Sequence, residues 1–200
     1  MIATQKNSNL HIAAICSSNM NRSMEAHDFL KKRNYNIDSF GTGTHVKLPG
    51  SKFDRPNVYA FGDVSYEEIY QDLCQKDYNL YTQNGMLNML DRNRRIKERP
   101  QKFQNCIKNF DLLFTTEKRI FNIVIETLLA RKSNIAHLSH VINIDIQDNH
   151  EEATLGAFLI CDICEILSDS KDFDDDVERI ITMFQNKYTD RNIIYTPITC

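Results

Sequence analysis

Short, nearly continuous apolar runs alternate with longer stretches that carry an apolar residue every three or four positions. Residues 11–15 (His-Ile-Ala-Ala-Ile) form the first such run, the pattern of a parallel strand buried on both faces. The run ends in Cys16-Ser-Ser-Asn-Met-Asn-Arg22-Ser23, small or turn-prone residues apart from Met20 and Arg22. From Ser23 the spacing turns helical, with Met24, His27 and Leu30 along one side. Residues 35–40 make a second strand, stopped by Gly41-Thr42-Gly43. Residues 44–63 hold Pro49, Gly50, Pro56 and Gly62 and read as a long surface loop, a length that usually serves function. Residues 65–80 predict a helix capped by Ser65. After Asn84-Gly85 a second helical pattern runs into the basic stretch Arg92, Arg94, Arg95, Lys97 and Arg99, ended by Pro100. A strand at 110–114, a helix at 117–131, a strand at 140–145, a helix at 151–167 and an acidic helix at 173–187 complete the pattern.

Strands that alternate with helices in this way predict an α/β fold. With right-handed crossovers it is a flavodoxin-like, doubly wound, mainly parallel four-stranded sheet in order 2-1-3-4, with helices on both faces. Residues 1–9 are polar and read as a loose N-terminal segment, leaving 10–200 as a single domain. In such a sheet ligands bind beyond the carboxyl ends of the strands. Cys16 and the segment Asp145 to Asp148 both fall on that rim.

Composition narrows the function. A net charge of −3 and a pI near 6.1 argue against direct nucleic-acid binding. No apolar run is long enough to cross a membrane, and the first residues lack the apolar core of a signal peptide. The six cysteines (Cys16, Cys74, Cys106, Cys161, Cys164 and Cys200) are too scattered for a disulfide scaffold and point to a reducing compartment.

A thiol at the base of a strand-to-helix turn is the candidate chemistry. Backbone N–H groups of Ser17, Ser18, Asn19, Met20, Asn21 and Arg22 can converge as an anion nest, and the following helix aims its positive end at the same point. That field also favours a nucleophilic thiolate. Arg22 can grip two phosphate oxygens with its planar fork, and Ser23 can hydrogen-bond the sulfur and make it a better leaving group. Cys and Arg six positions apart recur by chance; the preceding strand, the small polar loop and the following helix lift the pattern above chance. Such a phosphatase needs an acid for the leaving alkoxide. Asp148, in the loop, is the candidate, with Asp145 at the strand end in support. A metal site built from Asp145, Asp148, His150 and Glu151 is the lesser reading, because the loop already supplies positive charge; no metal or cofactor is expected. Cys161 and Cys164 read as core residues of a helix, since no second ligand pair accompanies them.

These residues carry a resemblance. The segments Cys16-Ser-Ser-Asn-Met-Asn-Arg-Ser-Met-Glu-Ala-His27, Ser39-Phe-Gly-Thr-Gly-Thr-His-Val-Lys-Leu-Pro-Gly50, Leu80-Tyr-Thr-Gln-Asn-Gly85 and Asp145-Ile-Gln-Asp-Asn-His-Glu-Glu152 are similar to the eukaryotic cysteine phosphatases of the RNA polymerase II C-terminal domain. That family belongs to the messenger-RNA 3′-end processing machinery and is related to low-molecular-weight tyrosine phosphatases. The resemblance implies Cys16 as nucleophile forming a phosphocysteine, Arg22 as phosphate clamp and Asp148 as general acid. It implies a nuclear enzyme acting on phosphoserine followed by a cis proline in the polymerase heptads, with symplekin and the cleavage/polyadenylation complex as partners. X–Pro bonds in flexible peptides are roughly 10–30% cis, so cis selectivity gives up only about 1 kcal/mol of affinity. The groove walls are then Met20, Lys47, Leu48, Pro49, Met86 and Met89. Met20 stands where the family is associated with glutamine, and its side chain is expected to face solvent or substrate. Two other readings are an arsenate reductase, for which Cys74 and Cys106 are the mid-chain candidates as resolving thiols, and a phosphopeptide-binding scaffold without turnover.

Overall fold

The computed structural model describes residues 10–52, 54–131 and 136–199. The loose segment expected at 1–9 lies outside the described residues.

Strand β1 (His11–Cys16) pairs in parallel with β2 (Asn36–Gly41) on one side and β5 (Leu112–Thr115) on the other; β5 pairs in parallel with β6 (Leu138–Ile144). The expectation of a four-stranded sheet is corrected at its far edge. Residues 193–199 form β7 (Ile193–Thr199), which runs antiparallel along β6, so the sheet is five-stranded and mixed, in order β2-β1-β5-β6-β7. The tail is short and carries Pro197, which hides a strand from a reading by apolar runs. Pro197 sits on an edge strand, where a missing N–H is tolerated.

Every central strand is buried on both faces, as its unbroken apolar run requires. Ile12 and Ala14 face one side, together with Leu112, Phe114, Ile142 and Ile144, against α1 (Arg22–Lys32), α5 (His150–Ser168) and α6 (Phe173–Lys187). Ala13 and Ile15 face the other, with Leu113 and Val141, against α4 (Lys118–Leu129). Each of these Ile, Leu, Val and Phe side chains contributes roughly 1.5–3 kcal/mol through burial. Cys161 and Cys164 lie inside the first layer, where burial pushes the Cys161 thiol up to about 11 and the Cys164 thiol well above its ordinary value. Among the described residues no helix is long and apolar enough to cross a membrane.

A second correction concerns residues 44–63. Instead of a loop, they hold β3 (Val46–Lys52) and β4 (Arg55–Tyr59), an antiparallel hairpin. Pro49 and Gly50 disguise a period-two pattern in which Val46 and Leu48 are buried while Lys47 and Pro49 are exposed. Val46 and Leu48 pack with Met20, Met24 and residues of α2 (Tyr66–Gln83) and α3 (Met86–Ile96). Polar contacts pin the hairpin to α2: Tyr59 donates to Asp72 (2.5 Å), Lys76 donates to Asn57 (2.9 Å), and Asn57 donates to the Tyr81 hydroxyl (2.9 Å). Ser65 opens α2 with a capping box completed by Glu68. Between α2 and α3 the chain turns at Gly85, whose φ of 79° and close approach to the His150 ring (2.9 Å from where a Cβ would stand) exclude a side chain.

Candidate active site

Three adjoining parallel strands deliver their carboxyl ends to one rim: Cys16 from β1, Thr116 and Glu117 after β5, and Asp145 to Asp148 after β6. The loop after Cys16 is held from outside by its carbonyls. Those of Cys16 and Ser17 accept from the amides of Thr42 (3.0 Å) and Gly43 (2.9 Å). The Asn19 carbonyl accepts from the Tyr66 hydroxyl (2.6 Å). That of Met20 accepts from Asn93 (2.8 Å) and Arg92 (3.1 Å), and that of Asn21 from Glu25 N (2.9 Å). A planar trans peptide sends its N–H opposite to its carbonyl. The amides of Ser17, Ser18, Met20, Asn21 and Arg22 are therefore turned inward, as an anion nest requires. Asn19 sits in the left-handed region (φ 53°), which asparagine tolerates better than most residues.

Side chains leave the Ser23 hydroxyl hydrogen available to the sulfur. Lys97 Nζ and the Gln101 amide both donate to Asn19 Oδ1 (3.1 Å each), so the Asn19 amide nitrogen faces Ser23 and donates to its Oγ (3.1 Å). Ser23 is thus an acceptor from Asn19, and its own hydrogen is free to donate to Cys16 Sγ, 3.1 Å away. Burial lowers Lys97 to about 8 against the opposing pull of Asp38 and the nearby thiols.

Arg22 is 5% exposed. Its Nη1 donates to the carbonyl of Ile146 (2.9 Å) and to Glu117 Oε2 (3.3 Å); its Nη2 approaches Asp148 Oδ2 at 3.5 Å. Its Nε is buried and meets no hydrogen-bond partner among the described residues. A buried unmet donor on a cation beside such a loop is what an oxyanion satisfies.

Cys16, Ser18, Met20 and Asn21 open into a cavity of about 330 Å³. Lys47, Leu48 and Pro49 of the hairpin form one wall, and Asn84, Met86 and Met89 line another. Asp148, Asn149 and His150 close the third side. All six residues expected to line a groove therefore share one cavity, and the Lys47 amide donates to Ser18 Oγ (3.2 Å). Met20 lines that cavity rather than open solvent. Its side chain is only 2% exposed and packs in the apolar cluster of the hairpin and α3, reaching the cavity as part of a wall.

Asp148 is 61% exposed and accepts from the Asn21 side chain (3.0 Å), so it hangs over the mouth of the loop. Asp145 points elsewhere. It accepts from Asn143 (2.8 Å) and Asn192 (3.1 Å) and lines a separate cavity with Arg191. His150 shares the Cys16 cavity with Asp148 and approaches the Asn84 carbonyl (3.2 Å), whereas Asp145 lines another, so the three do not gather at one point. Among the described residues no group of three or more His, Cys, Asp or Glu side chains could hold a metal ion. Neither Cys74 nor Cys106 lines the cavity of Cys16.

Residues 10–199 match the family described as Ssu72-like protein. The chain belongs to the Ssu72 family. It is 54% identical over 187 residues to the RNA polymerase II C-terminal domain phosphatase SSU72 of Xenopus laevis, covering 94% of this chain and 95% of that one. The Homo sapiens protein of the same name is 52% identical with the same coverage. Among solved structures, the serine phosphatase of the RNA polymerase II CTD from Drosophila melanogaster superposes with a TM-score of 0.92 at 46% identity, over 96% of this chain and 100% of that chain. Drosophila melanogaster Ssu72 with Symplekin, bound to a cis peptidomimetic CTD phosphoserine peptide, gives 0.90 at 45% identity, over 96% and 99%.

Several residues around this Ssu72-family loop escape a reading by motif. Tyr66, Asn93, Lys97 and Glu117 reach it from 47 to 95 positions away, and no local spacing announces them. Arg92 belongs to the basic stretch before Pro100. It is half-buried, paired with Glu25 of α1, and donates to the loop carbonyl of Met20. Burial lowers it to about 10. The Gly41-Thr42-Gly43 segment that reads as a strand stop also brings β2 against the loop. A Cβ on Gly41 would stand 2.6 Å from the Ser17 carbonyl oxygen.

Proposed function

We propose that this Ssu72-family chain is a nuclear protein serine phosphatase that cleaves phosphoserine-(cis)proline motifs in the RNA polymerase II C-terminal repeats. The single observation that supports the mechanism is that Cys16 and Asp148 line one cavity, while Arg22 reaches Asp148 at 3.5 Å and its buried Nε meets no hydrogen-bond partner among the described residues.

In the first step Cys16 Sγ bonds to phosphorus as the phosphorus–oxygen bond to serine breaks, and Asp148 delivers its proton to the departing alkoxide. The equatorial oxygens lie against the loop amides and Arg22, which take up the charge of the transition state. In the second step Asp148 accepts a proton from water, whose oxygen bonds to phosphorus while the sulfur–phosphorus bond breaks. The Ser23 hydroxyl, its hydrogen directed at Sγ by Asn19, stabilises the departing thiolate. Asp145 supports the turn behind Asp148 by holding Asn143 and Asn192. The walls of Met20, Leu48, Pro49, Met86 and Met89 suit an apolar proline, and Lys47 suits an acidic phosphopeptide. The Drosophila relative's Symplekin complex supports a scaffold of that kind as partner within the cleavage/polyadenylation complex. Residues 10–200 are proposed to act as one domain.

The experiment is phosphate release from a doubled heptad peptide phosphorylated at its fifth position, in EDTA and reductant, with Cys16→Ser alongside. Release by the native protein and none by the variant is the expected result. Equal release by both removes Cys16 as nucleophile. Release from p-nitrophenyl phosphate but not from the peptide keeps the chemistry and discards the substrate.

A further inference from the structure

The guanidinium of Arg22 has five N–H groups, and the structure divides them unevenly. The two on Nη1 meet three acceptors: the Ile146 carbonyl at 2.9 Å, Glu117 Oε2 at 3.3 Å and the Thr116 carbonyl at 3.5 Å. Among the described residues Nη2 has only Asp148 at 3.5 Å, and Nε has no partner although it is buried. One end of the fork is thus held from behind, while the Nε–Nη2 edge is left for a ligand. Carbonyls fix a position, but of the groups on Nη1 only Glu117 carries charge.

We propose that Glu117 is a positioning residue for Arg22: it holds Nη1 so that the Nε–Nη2 edge meets two phosphate oxygens side-on. This rests on the phosphate-cleaving reading of the Cys16 loop. Glu117 is well built for the role. It stands immediately before α4, at the end of β5, so its backbone is fixed by the sheet and by the helix start. Its side chain makes no capping hydrogen bond, so the carboxylate is not spent on the backbone amides of that helix. Its other oxygen, Oε1, accepts from Arg119 at 2.9 Å, which places the carboxylate between two guanidinium groups. Glu117 is not a lining residue of the Cys16 cavity and acts only through Arg22.

The direction of the effect separates positioning from field. An anion beside an anion site weakens phosphate binding by repulsion, so a Glu117 that acted only through its charge would be relieved by neutralisation. A Glu117 that aims Arg22 does the opposite. The test measures tungstate, a phosphate analogue, by titration calorimetry on the full chain, with thermal unfolding of each variant alongside. Glu117→Gln is expected to weaken tungstate binding about five- to thirty-fold, the step from a charge-assisted to a neutral hydrogen bond. In an Arg22→Lys background, which has no fork to aim, the same change is expected to cost less than about twofold, since residues that act as a unit are non-additive. Unchanged or tighter binding in Glu117→Gln overturns the proposal, and so does an equal loss in both backgrounds. If Glu117→Gln fails to fold, Glu117→Asp, which keeps the charge and retracts it, is read instead; native affinity there overturns the proposal and weakened affinity supports it. A native protein that binds tungstate but releases no phosphate from any ester sinks the phosphatase reading and leaves the Glu117 assignment standing. A native protein that binds no tungstate overturns the assignment itself.

Discussion

Tyr66→Phe removes one oxygen atom from the inside of the protein. Tyr66 is fully buried, and its ring packs in the cluster of the hairpin, α2 and α3, so phenylalanine keeps the packing. What is lost is the 2.6 Å hydrogen bond to the Asn19 carbonyl, the point at which the loop passes through its left-handed turn. Burial holds the Tyr66 hydroxyl well above its ordinary pKa, so it is a neutral donor at any working pH. Leaving a buried carbonyl unmet costs about 1–3 kcal/mol. For a chain of this size that lowers the unfolding midpoint by roughly 2–4 °C per kcal/mol. The kinetic consequence follows from strain: a non-glycine residue at positive φ persists only while its surroundings over-determine it. If about 1–2 kcal/mol of that loss falls on the transition state, kcat/KM drops about five- to thirty-fold. The assay pairs urea denaturation with kcat/KM on p-nitrophenyl phosphate. A variant that loses stability but keeps kcat/KM within twofold would refute the claim that Tyr66 shapes the nest. One that loses neither would refute the hydrogen bond.

Asp148→Asn is expected to slow phosphoserine peptide cleavage at least tenfold more than p-nitrophenyl phosphate cleavage, because nitrophenolate departs without a proton; equal losses on both substrates would remove Asp148 as the acid. Stability is expected to fall below neutral pH through His27, which burial, helped by Lys97 and Lys31, lowers to about 4 from 6.5 while it bonds Ser39 at 2.9 Å. The unfolded chain binds the extra proton between those values, so stability present above about 6.5 is lost as pH falls toward 4, by about 3 kcal/mol in all. Urea titrations at pH 7.5, 5.5 and 4.5 check this against His27→Gln, and an unchanged slope in the variant rejects His27 as the source.

Much of the fold is legible in the chain because burial on both faces leaves an uninterrupted apolar signature. The runs ending at Ile15 and Ile144 mark central strands, and Met24, His27 and Leu30 share the inner side of α1. The capping box at Ser65 is local chemistry and reads equally well. Edge elements are less legible. β7 carries Pro197 and is only partly buried, and the hairpin hides its alternation behind Pro49 and Gly50. Both are strands because a partner is present, and pairing is a property of two segments.

The same division runs through the site. Cys16, Arg22 and Ser23 lie within one strand-loop-helix unit, so the sequence by itself determined that the thiol stands at the end of β1 in a loop that leads into α1. Asp148 was legible as a loop carboxylate, but its station over the loop mouth depends on β6 lying one strand beyond β5 in the sheet. Only the tertiary structure decided which way the loop's carbonyls and protons point. Tyr66, Asn93, Lys97 and Glu117 arrive from other elements, and a hydrogen bond of about 3 Å has no counterpart in separation along the chain. Short-range chemistry is written in consecutive residues, whereas the orientation of a buried dipole is set by whatever the fold packs against it.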